Sequence, residues 1–249
     1  MLIQINDRNE FVTRFLTPVA KLSDSACITV YPDRLQSLVT NSDNSVVLYS
    51  VYEQLNDAID ASGVTLNVPN INKFINLFSC LNADQFTLEY NSNCVVCNSN
   101  DLKFTYHLLD DGILTVPSIN IKKIKALTFD TNFILTKDNI SRLLKASSFT
   151  TDSDKLYIHT DKSKVVGELT DKQQANVDSF SQPISMSYDG ESIEEPMSIN
   201  FETLRVIGGV RMDSDCKITV HVNGSNSVFL FDISCSSSKL KYITSAYAE

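Results

Sequence analysis

The two halves of this chain repeat one pattern of apolar residues. When the second half is moved over the first by about 130 residues, their apolar positions fall into register. The matched positions are Val12, Phe15 and Leu16 with Ile140, Leu143 and Leu144; Ile28 and Val30 with Leu156 and Ile158; Ile71 and Phe74 with Phe201 and Leu204; and Phe86, Leu88 and Tyr90 with Ile218, Val220 and Val222. Identity between the halves is low, so chance agreement is the alternative. The repeat predicts two similar domains.

Four short stretches have the apolar spacing of an amphipathic helix, and two of them fall in each half. They cover residues 9–16, 70–81, 136–147 and 200–207. Pro18 is expected to end the first helix, because an interior proline removes a hydrogen bond and clashes with the preceding turn. Asn70 and Thr136 are available as N-caps of the second and third helices, and Gly208 with Gly209 is expected to stop the fourth.

Short segments with the two-residue alternation of β-strands account for much of the remaining chain. They cover residues 27–31, 45–52, 64–68, 85–90, 101–108, 155–160, 164–169, 217–222, 227–233 and 239–245. The prediction is an α+β fold of two tandem domains, each an antiparallel sheet layer backed by two short helices. The domains are expected at 1–120 and 121–249, with a connector at 116–126 that contains Pro117 and three lysines.

Composition and charge limit the classes of function. The 249 residues are 43% hydrophobic and 20% charged, as in ordinary folded proteins. Lys and Arg number 21 against 30 Asp and Glu, and the net charge of −9 argues against a conventional nucleic-acid binder without excluding a local basic surface. No run approaches the roughly 20 apolar residues of a membrane helix, and the charged start lacks a signal-peptide core. We expect a cytoplasmic protein with no membrane partner and with six reduced cysteines.

Recognisable catalytic motifs are absent from the sequence. The three histidines, His107, His159 and His221, lie inside strand-like runs, where a structural role is expected rather than that of a general base. Cys94 and Cys97 have the spacing of a redox or metal dithiol, but no second Cys or His pair accompanies them, and in a strand they would point to opposite faces. No glycine-rich phosphate loop occurs. The sequence therefore predicts no enzyme, no metal and no cofactor.

Basic residues recur on the helix faces that lie opposite the apolar stripes. The outward residues, helix by helix, are Glu10, Thr13 and Arg14; Asn72, Lys73 and Asn76; Asp138, Ser141, Arg142 and Lys145; and Glu202, Thr203 and Arg205, with Arg211 following. Most acidic residues fall instead in turns and at strand edges. Any surface helix shows Lys and Arg outward, so this pattern alone does not assign a function.

The order of these elements resembles that of DNA polymerase sliding clamps, in particular the two-domain clamps of tailed bacteriophages. The resemblance covers nearly the whole chain and lies in order and pattern rather than in one invariant motif. It is best in VPNINKFINLFSCLNADQFTLEYN (68–91), TKDNISRLLKASSF (136–149) and KITVHVNGSNSVFLFDIS (217–234).

The resemblance implies a ring of six DNA-clamp domains, formed by three copies of the chain, with helices around a hole that admits duplex DNA. In such rings an edge strand of the first domain pairs with one of the second domain in the next subunit, and the candidates here are 102–109 and 176–188. The residues that would meet DNA phosphates without reading bases are Arg14, Lys73, Lys137, Arg142, Lys145, Arg205 and Arg211.

The resemblance also implies protein partners. A hydrophobic pocket under the connector would take peptide tails of the replicative DNA polymerase and of an ATP-dependent clamp loader, and its candidate residues are Ile119, Ile121 and Tyr247. The implied function is that of a processivity factor, working in the host cytoplasm if the protein is viral. The alternative is a β-rich virion structural or adhesion protein, which the Ser-, Asn- and Thr-rich turns would suit.

Overall fold

A computed structural model describes residues 1–53, 63–99, 102–117, 127–150, 153–174 and 176–247. The chain divides into two compact units. Unit 1 comprises Met1–Ser118 with Cys235–Leu240, and unit 2 comprises Ile119–Ser234 with Lys241–Glu249. The units differ from the predicted division at residue 120 chiefly in that residues 235–240 lie with unit 1.

Unit 1 is built from antiparallel strands and from helices that follow β1 and β5. Its strands are β1 (Leu2–Ile5), β2 (Ala26–Val30), β3 (Leu35–Thr40), β4 (Val46–Tyr52), β5 (Val64–Val68), β6 (Phe86–Asn91), β7 (Cys94–Asn98) and β8 (Lys103–His107). Its helical segments are α1 (Arg8–Phe11), a π-helical turn (Val12–Leu16), α2 (Thr17–Ala20) and α3 (Ile71–Ser79).

Unit 2 repeats this succession of elements, with β13 as an additional strand. Its strands are β9 (Thr131–Leu135), β10 (Lys155–Asp161), β11 (Lys164–Leu169), β12 (Phe180–Ser185), β13 (Tyr188–Gly190), β14 (Met197–Asn200), β15 (Lys217–Asn223) and β16 (Val228–Ser234). Its helices are α4 (Lys137–Ala146) and α5 (Phe201–Gly208). The last strand, β17 (Ser238–Ser245), starts in unit 1 and ends in unit 2.

The strand order is repeated between the halves of the chain. The strands of unit 1 run in the orders β1-β6-β7-β8 and β5-β2-β3-β4, and their counterparts in the second half run in the orders β9-β15-β16-β17 and β14-β10-β11-β12. The matched apolar positions lie on equivalent elements, as Ile28 in β2 and Leu156 in β10 do. The predicted repeat is therefore confirmed at the level of topology, and the predicted α+β class is confirmed with it.

The first helix does not end where the sequence predicts. Helical backbone continues past Pro18 to Ala20, because the turn before the proline is π-helical. The backbone N–H of Thr17 donates to the carbonyl of Val12, five residues back, and Thr17 Oγ1 donates to the same carbonyl at 2.8 Å. Pro18 thus lies in the first turn of α2, where its missing N–H is tolerated.

Arg14, within the π-helical turn, faces inward. Arg14 is only 2% exposed, so the prediction that it lies on the outer face is wrong. Its Nη1 binds Glu10 Oε2 at 2.8 Å, and Ser237 Oγ, also in unit 1, donates to the same carboxylate oxygen. Arg14 follows buried Phe11 by three residues and precedes buried Pro18 by four, so it lies on the same side of the helical segment as they do. Arg14 is therefore part of the core of unit 1.

The predicted caps of the other helices are confirmed. Asn70 accepts a hydrogen bond from the Lys73 N–H at 2.7 Å, and Thr136 Oγ1 accepts one from the Asn139 N–H at 3.1 Å. Gly209 caps the C-terminus of α5. These bonds satisfy backbone donors that a helix end otherwise leaves unpaired.

Aromatic side chains hold the helices of unit 1 on the sheet β1-β6-β7-β8. The ring centroids of Phe74 and Phe78 in α3 lie 4.8 Å apart, and Phe78 lies 5.1 Å from Phe86 in β6. Phe11 of α1 lies 5.4 Å from Phe78. These residues are buried, so they fix α1 and α3 side by side and direct their opposite faces outward.

The helices of unit 2 are packed closely. A Cβ atom at Gly208 of α5 would lie 2.5 Å from Leu144 Cδ1 of α4, so a larger residue there would force Leu144 to move. The buried side of α5 is wide, because Phe201, Thr203 and Leu204 are all at most 1% exposed. The prediction that Thr203 faces outward is therefore wrong.

Gly190 ends β13, opposite Thr131 of β9, in a conformation that L-residues rarely adopt. Its φ is +99°, and an added Cβ would lie 1.9 Å from the Asp130 carbonyl oxygen. We expect Gly190→Ala to lower the free energy of unfolding by about 3 kcal/mol, the upper end for such backbone strain. Gly112→Ala is the control, because its φ is +84° but no atom lies near the added Cβ; it should cost about 1 kcal/mol. Equal losses in urea titrations would contradict the role of the close approach.

The cysteines differ in part from the prediction. Cys216 and Cys235 are disulfide-bonded, so the expectation of six reduced thiols is wrong for these two. Cys27, Cys80, Cys94 and Cys97 are free. No helix in the described part of the chain has the length and apolar character needed to cross a bilayer.

Candidate nucleic-acid interface

Helix α4 presents the densest group of exposed cations on the described helices. Lys137, Arg142 and Lys145 are exposed on its outer face, while Ile140 and Leu143 are buried on the other. Lys137 Nζ donates to the Met212 carbonyl at 2.8 Å. Arg142 and Lys145 are one helical turn apart and make no ion pair with any described residue. Their charges are therefore available to an external anion.

The cations on and after α5 have acidic partners. Arg205 Nη1 lies 3.1 Å from Glu202 Oε2, and both side chains are about half exposed, at 53% and 55%. The guanidinium carbon of Arg205 also lies 5.2 Å from the centre of the Phe201 ring. Arg211 Nε lies 3.2 Å from Asp213 Oδ2. These two arginines therefore add less positive field at the surface than α4 does.

The helices of unit 1 present fewer charges. Lys73 is exposed on α3 between the neutral side chains Asn72 and Asn76. Arg14 is buried against Glu10, as described above, and is not available to a ligand. Of the two basic residues predicted on these helices, the structure thus leaves Lys73 on the surface.

The histidines do not form a catalytic arrangement in the described residues. His107 is exposed on β8, and His159 and His221 are half buried in β10 and β15. His221 Nδ1 contacts Asn132 Oδ1, and its ring lies 5.5 Å from that of Phe129. Burial lowers the pKa of His221, which disfavours its charged form. No group of three or more His, Cys, Asp or Glu within the described ranges could hold a metal ion.

Two strands in the predicted contact segments are sheet edges. β8 lies in segment 102–109 and pairs only with β7 among the described residues, and β12 lies in segment 176–188 and pairs only with β11 there. The Leu108 N–H, just after β8, donates to Asn93 O at 2.8 Å, so the even-numbered residues of β8 bond to β7 and the odd-numbered ones face the other side. The N–H and C=O groups of Thr105 therefore point to the open edge.

The edge of β12 is less regular. Its register with β11 shifts between Val165 and Val166, and it contains Pro183, which has no N–H to donate. Asn139 Nδ2 of α4 donates to the Pro183 carbonyl at 3.2 Å. A cavity of about 430 Å³ between β12 and α4 is lined in part by the exposed side chains of Ile134 and Met186. This edge therefore offers both backbone groups and apolar surface.

Tyr247 lies at a cavity within unit 2. The cavity has a volume of about 580 Å³, with Ile193, Met197 and Val222 among its apolar lining and four carboxylates around it, those of Asp130, Glu191, Glu194 and Glu195. The Tyr247 N–H donates to Ser198 O at 2.8 Å, and its hydroxyl accepts from Asn200 Nδ2 at 3.0 Å. These bonds fix the ring at the cavity while leaving it 42% exposed.

A second, smaller cavity of about 80 Å³ lies in unit 1, where the chain approaches the predicted connector. Leu38, Leu114, Val116 and Pro117 line it. These residues were not among the predicted pocket residues, although apolar residues beside a connector, such as Val116, were a usable signal. The other two predicted pocket residues, Ile119 and Ile121, lie outside the described residues.

Comparisons with known proteins identify the fold. No protein-family profile and no curated protein matches this sequence. Three solved structures are similar in fold. Proliferating cell nuclear antigen (PCNA) of A. fulgidus, bound to the C-terminal region of FEN-1, has a TM-score of 0.80, 15% identity and 99% coverage of both chains. PCNA of Thermococcus kodakaraensis has a TM-score of 0.78, 12% identity and 99% coverage of both chains. PCNA of Entamoeba histolytica has a TM-score of 0.77 and 13% identity, with 99% of this chain and 98% of that chain covered. The chain therefore has the fold of DNA sliding clamps along nearly its entire length.

Proposed function

We propose that this chain is a sliding clamp that encircles duplex DNA as a homotrimer and tethers the replicative DNA polymerase. The observation that carries the proposal is the clamp fold over 99% of the chain, with exposed Arg142 and Lys145 on a helix face. Contacts to phosphate alone carry no sequence information, so a ring held in this way can move along the duplex. The role is that of a binding protein, not of an enzyme.

The repeated topology supports closure through β8 and β12. Residues 238–240 of β17 belong to unit 1 and lie beside β4. In the repeat, β17 is the counterpart of β8, and β4 is the counterpart of β12. The strands β8 and β12 are thus the counterparts of two strands that are neighbours in the sheet order, β17 and β4. We propose that they pair between successive copies, which gives a head-to-tail contact that closes when the rotation per subunit fits the ring.

Partner peptides are proposed to bind at the two cavities described above. The C-terminal region of FEN-1 binds PCNA of A. fulgidus, and by analogy we propose that tails of the polymerase and of an ATP-dependent loader bind here. Tyr247 on unit 2 and Leu38 and Val116 on unit 1 would supply apolar contacts. The proposed place of action is the cytoplasm, of a host cell if the protein is viral.

Retention on circular DNA tests the proposal. A ring loaded onto nicked circular duplex should remain bound through a gel-filtration column in high salt, because topology rather than affinity holds it. Cutting the circle with a restriction enzyme should release the protein, because it can then slide off the ends. Equal rates of loss from circular and linear DNA would contradict encirclement. Incorporation into virus particles without ring formation would favour the structural alternative.

A further inference from the structure

We propose that Glu202 weakens the binding of the ring to DNA, because its carboxylate competes with phosphate for Arg205. Arg142 and Lys145 then make most of the phosphate contacts. This inference rests on the proposed function. It concerns the exposed cations of α4 and α5 in unit 2 and how much each of them contributes to binding DNA phosphate.

The geometry of Arg205 supports the competition. Its guanidinium lies 3.1 Å from the Glu202 carboxylate, three residues earlier on the same helix. Both side chains are about half exposed, so the pair is weak enough to open but still occupies Arg205 when no phosphate is near. A phosphate that approaches Arg205 must displace this carboxylate.

Helix α4 lacks such a competitor for its last two cations. Asp138 is exposed on the first turn of α4, where its negative charge interacts favourably with the positive end of the helix dipole. It makes no ion pair with Arg142 or Lys145. Gly208 packs against Leu144, so α4 and α5 are neighbours in unit 2. The neighbouring helices thus carry two cations that make no ion pair with any described residue, Arg142 and Lys145, and one that does, Arg205. A moving clamp benefits from this combination, because each added phosphate contact steepens the dependence on salt and slows release.

The sharpest test is a cycle of four proteins: wild type, Glu202→Gln, Arg205→Gln and the double variant. Affinity for a short linear duplex would be measured by fluorescence anisotropy across a salt series. We expect Glu202→Gln to tighten binding by about twofold per subunit, in line with the strength of an exposed pair. In the Arg205→Gln background the same change should have no effect. Arg142→Gln/Lys145→Gln should reduce the salt slope by up to about 5, from six cations per trimer at about 0.9 each.

The outcomes separate this inference from the function on which it rests. If Glu202→Gln tightens binding equally with and without Arg205, the carboxylate acts through the general field and the competition is wrong. An unchanged affinity in Glu202→Gln also overturns it. Failure of the wild-type protein to remain on circular DNA instead overturns the clamp proposal. All variants alter exposed side chains, and circular dichroism with native mass spectrometry would verify their fold and assembly.

Discussion

Replacing Thr105 by proline should convert the proposed trimer into monomers. The Thr105 N–H points to the open edge of β8, because the even-numbered residues of this strand bond to β7. Proline removes that donor without removing a hydrogen bond inside unit 1, and proline is tolerated on edge strands. Native mass spectrometry over a range of concentrations would measure the shift, and retention on circular DNA should be lost with it.

Thr105→Val is the matched control. It keeps the backbone N–H and has high β propensity, so it should remain a trimer with unchanged retention. A trimer of Thr105→Pro that is as stable as the wild-type ring would contradict pairing through β8. Circular dichroism and the urea midpoint would verify that unit 1 of the proline variant remains folded.

Arg14→Met should destabilise unit 1 by about 3 to 5 kcal/mol, the usual cost of removing one partner of a buried ion pair. Glu10 is only 14% exposed at its side chain, and it would lose the guanidinium that lies 2.8 Å away. The effect is on folding rather than on DNA contact, because Arg14 does not reach the surface. Urea unfolding monitored by circular dichroism would measure it.

Two further variants make this prediction specific. Glu10→Gln/Arg14→Met removes both charges and should recover most of the lost stability, because no buried charge is then left without its partner. Lys73→Met changes an exposed cation on α3 of the same unit and should shift stability by less than about 0.5 kcal/mol. If Arg14→Met is as mild as Lys73→Met, the buried pair has no structural importance.

Much of the fold could be predicted from the sequence, because its strongest patterns are periodic. Helices α3 and α4 have regular apolar stripes, and each is preceded by a side chain that accepts a hydrogen bond from a backbone N–H group of the first turn. The missed strands were short or lacked a hydrophobic alternation. β3, for example, buries Ser37 between apolar residues, where Ser37 Oγ donates to the Cys27 carbonyl at 3.0 Å. From sequence alone a serine suggests a loop, because the hydrogen bond that allows it to be buried in a strand is not visible there.

The candidate site was predictable where helices are regular. On α4 the 3.6-residue period correctly separates exposed Arg142 and Lys145 from buried Leu143. On the first helix the outward assignment of Arg14 fails, because Arg14 lies three residues after Phe11 and four before Pro18, and both of these are buried. The spacing from Phe11 was the available signal, since residues three apart lie on the same side of a helix.

The proline in β12 has a consequence for subunits that have not yet assembled. A newly made chain displays unpaired strand edges, and such edges invite indiscriminate stacking into insoluble fibres. Pro183 interrupts the row of backbone donors, and the bond from Asn139 already occupies its carbonyl. If the chain forms the proposed ring, these two features should disfavour pairing of single chains with the wrong neighbours before the ring assembles.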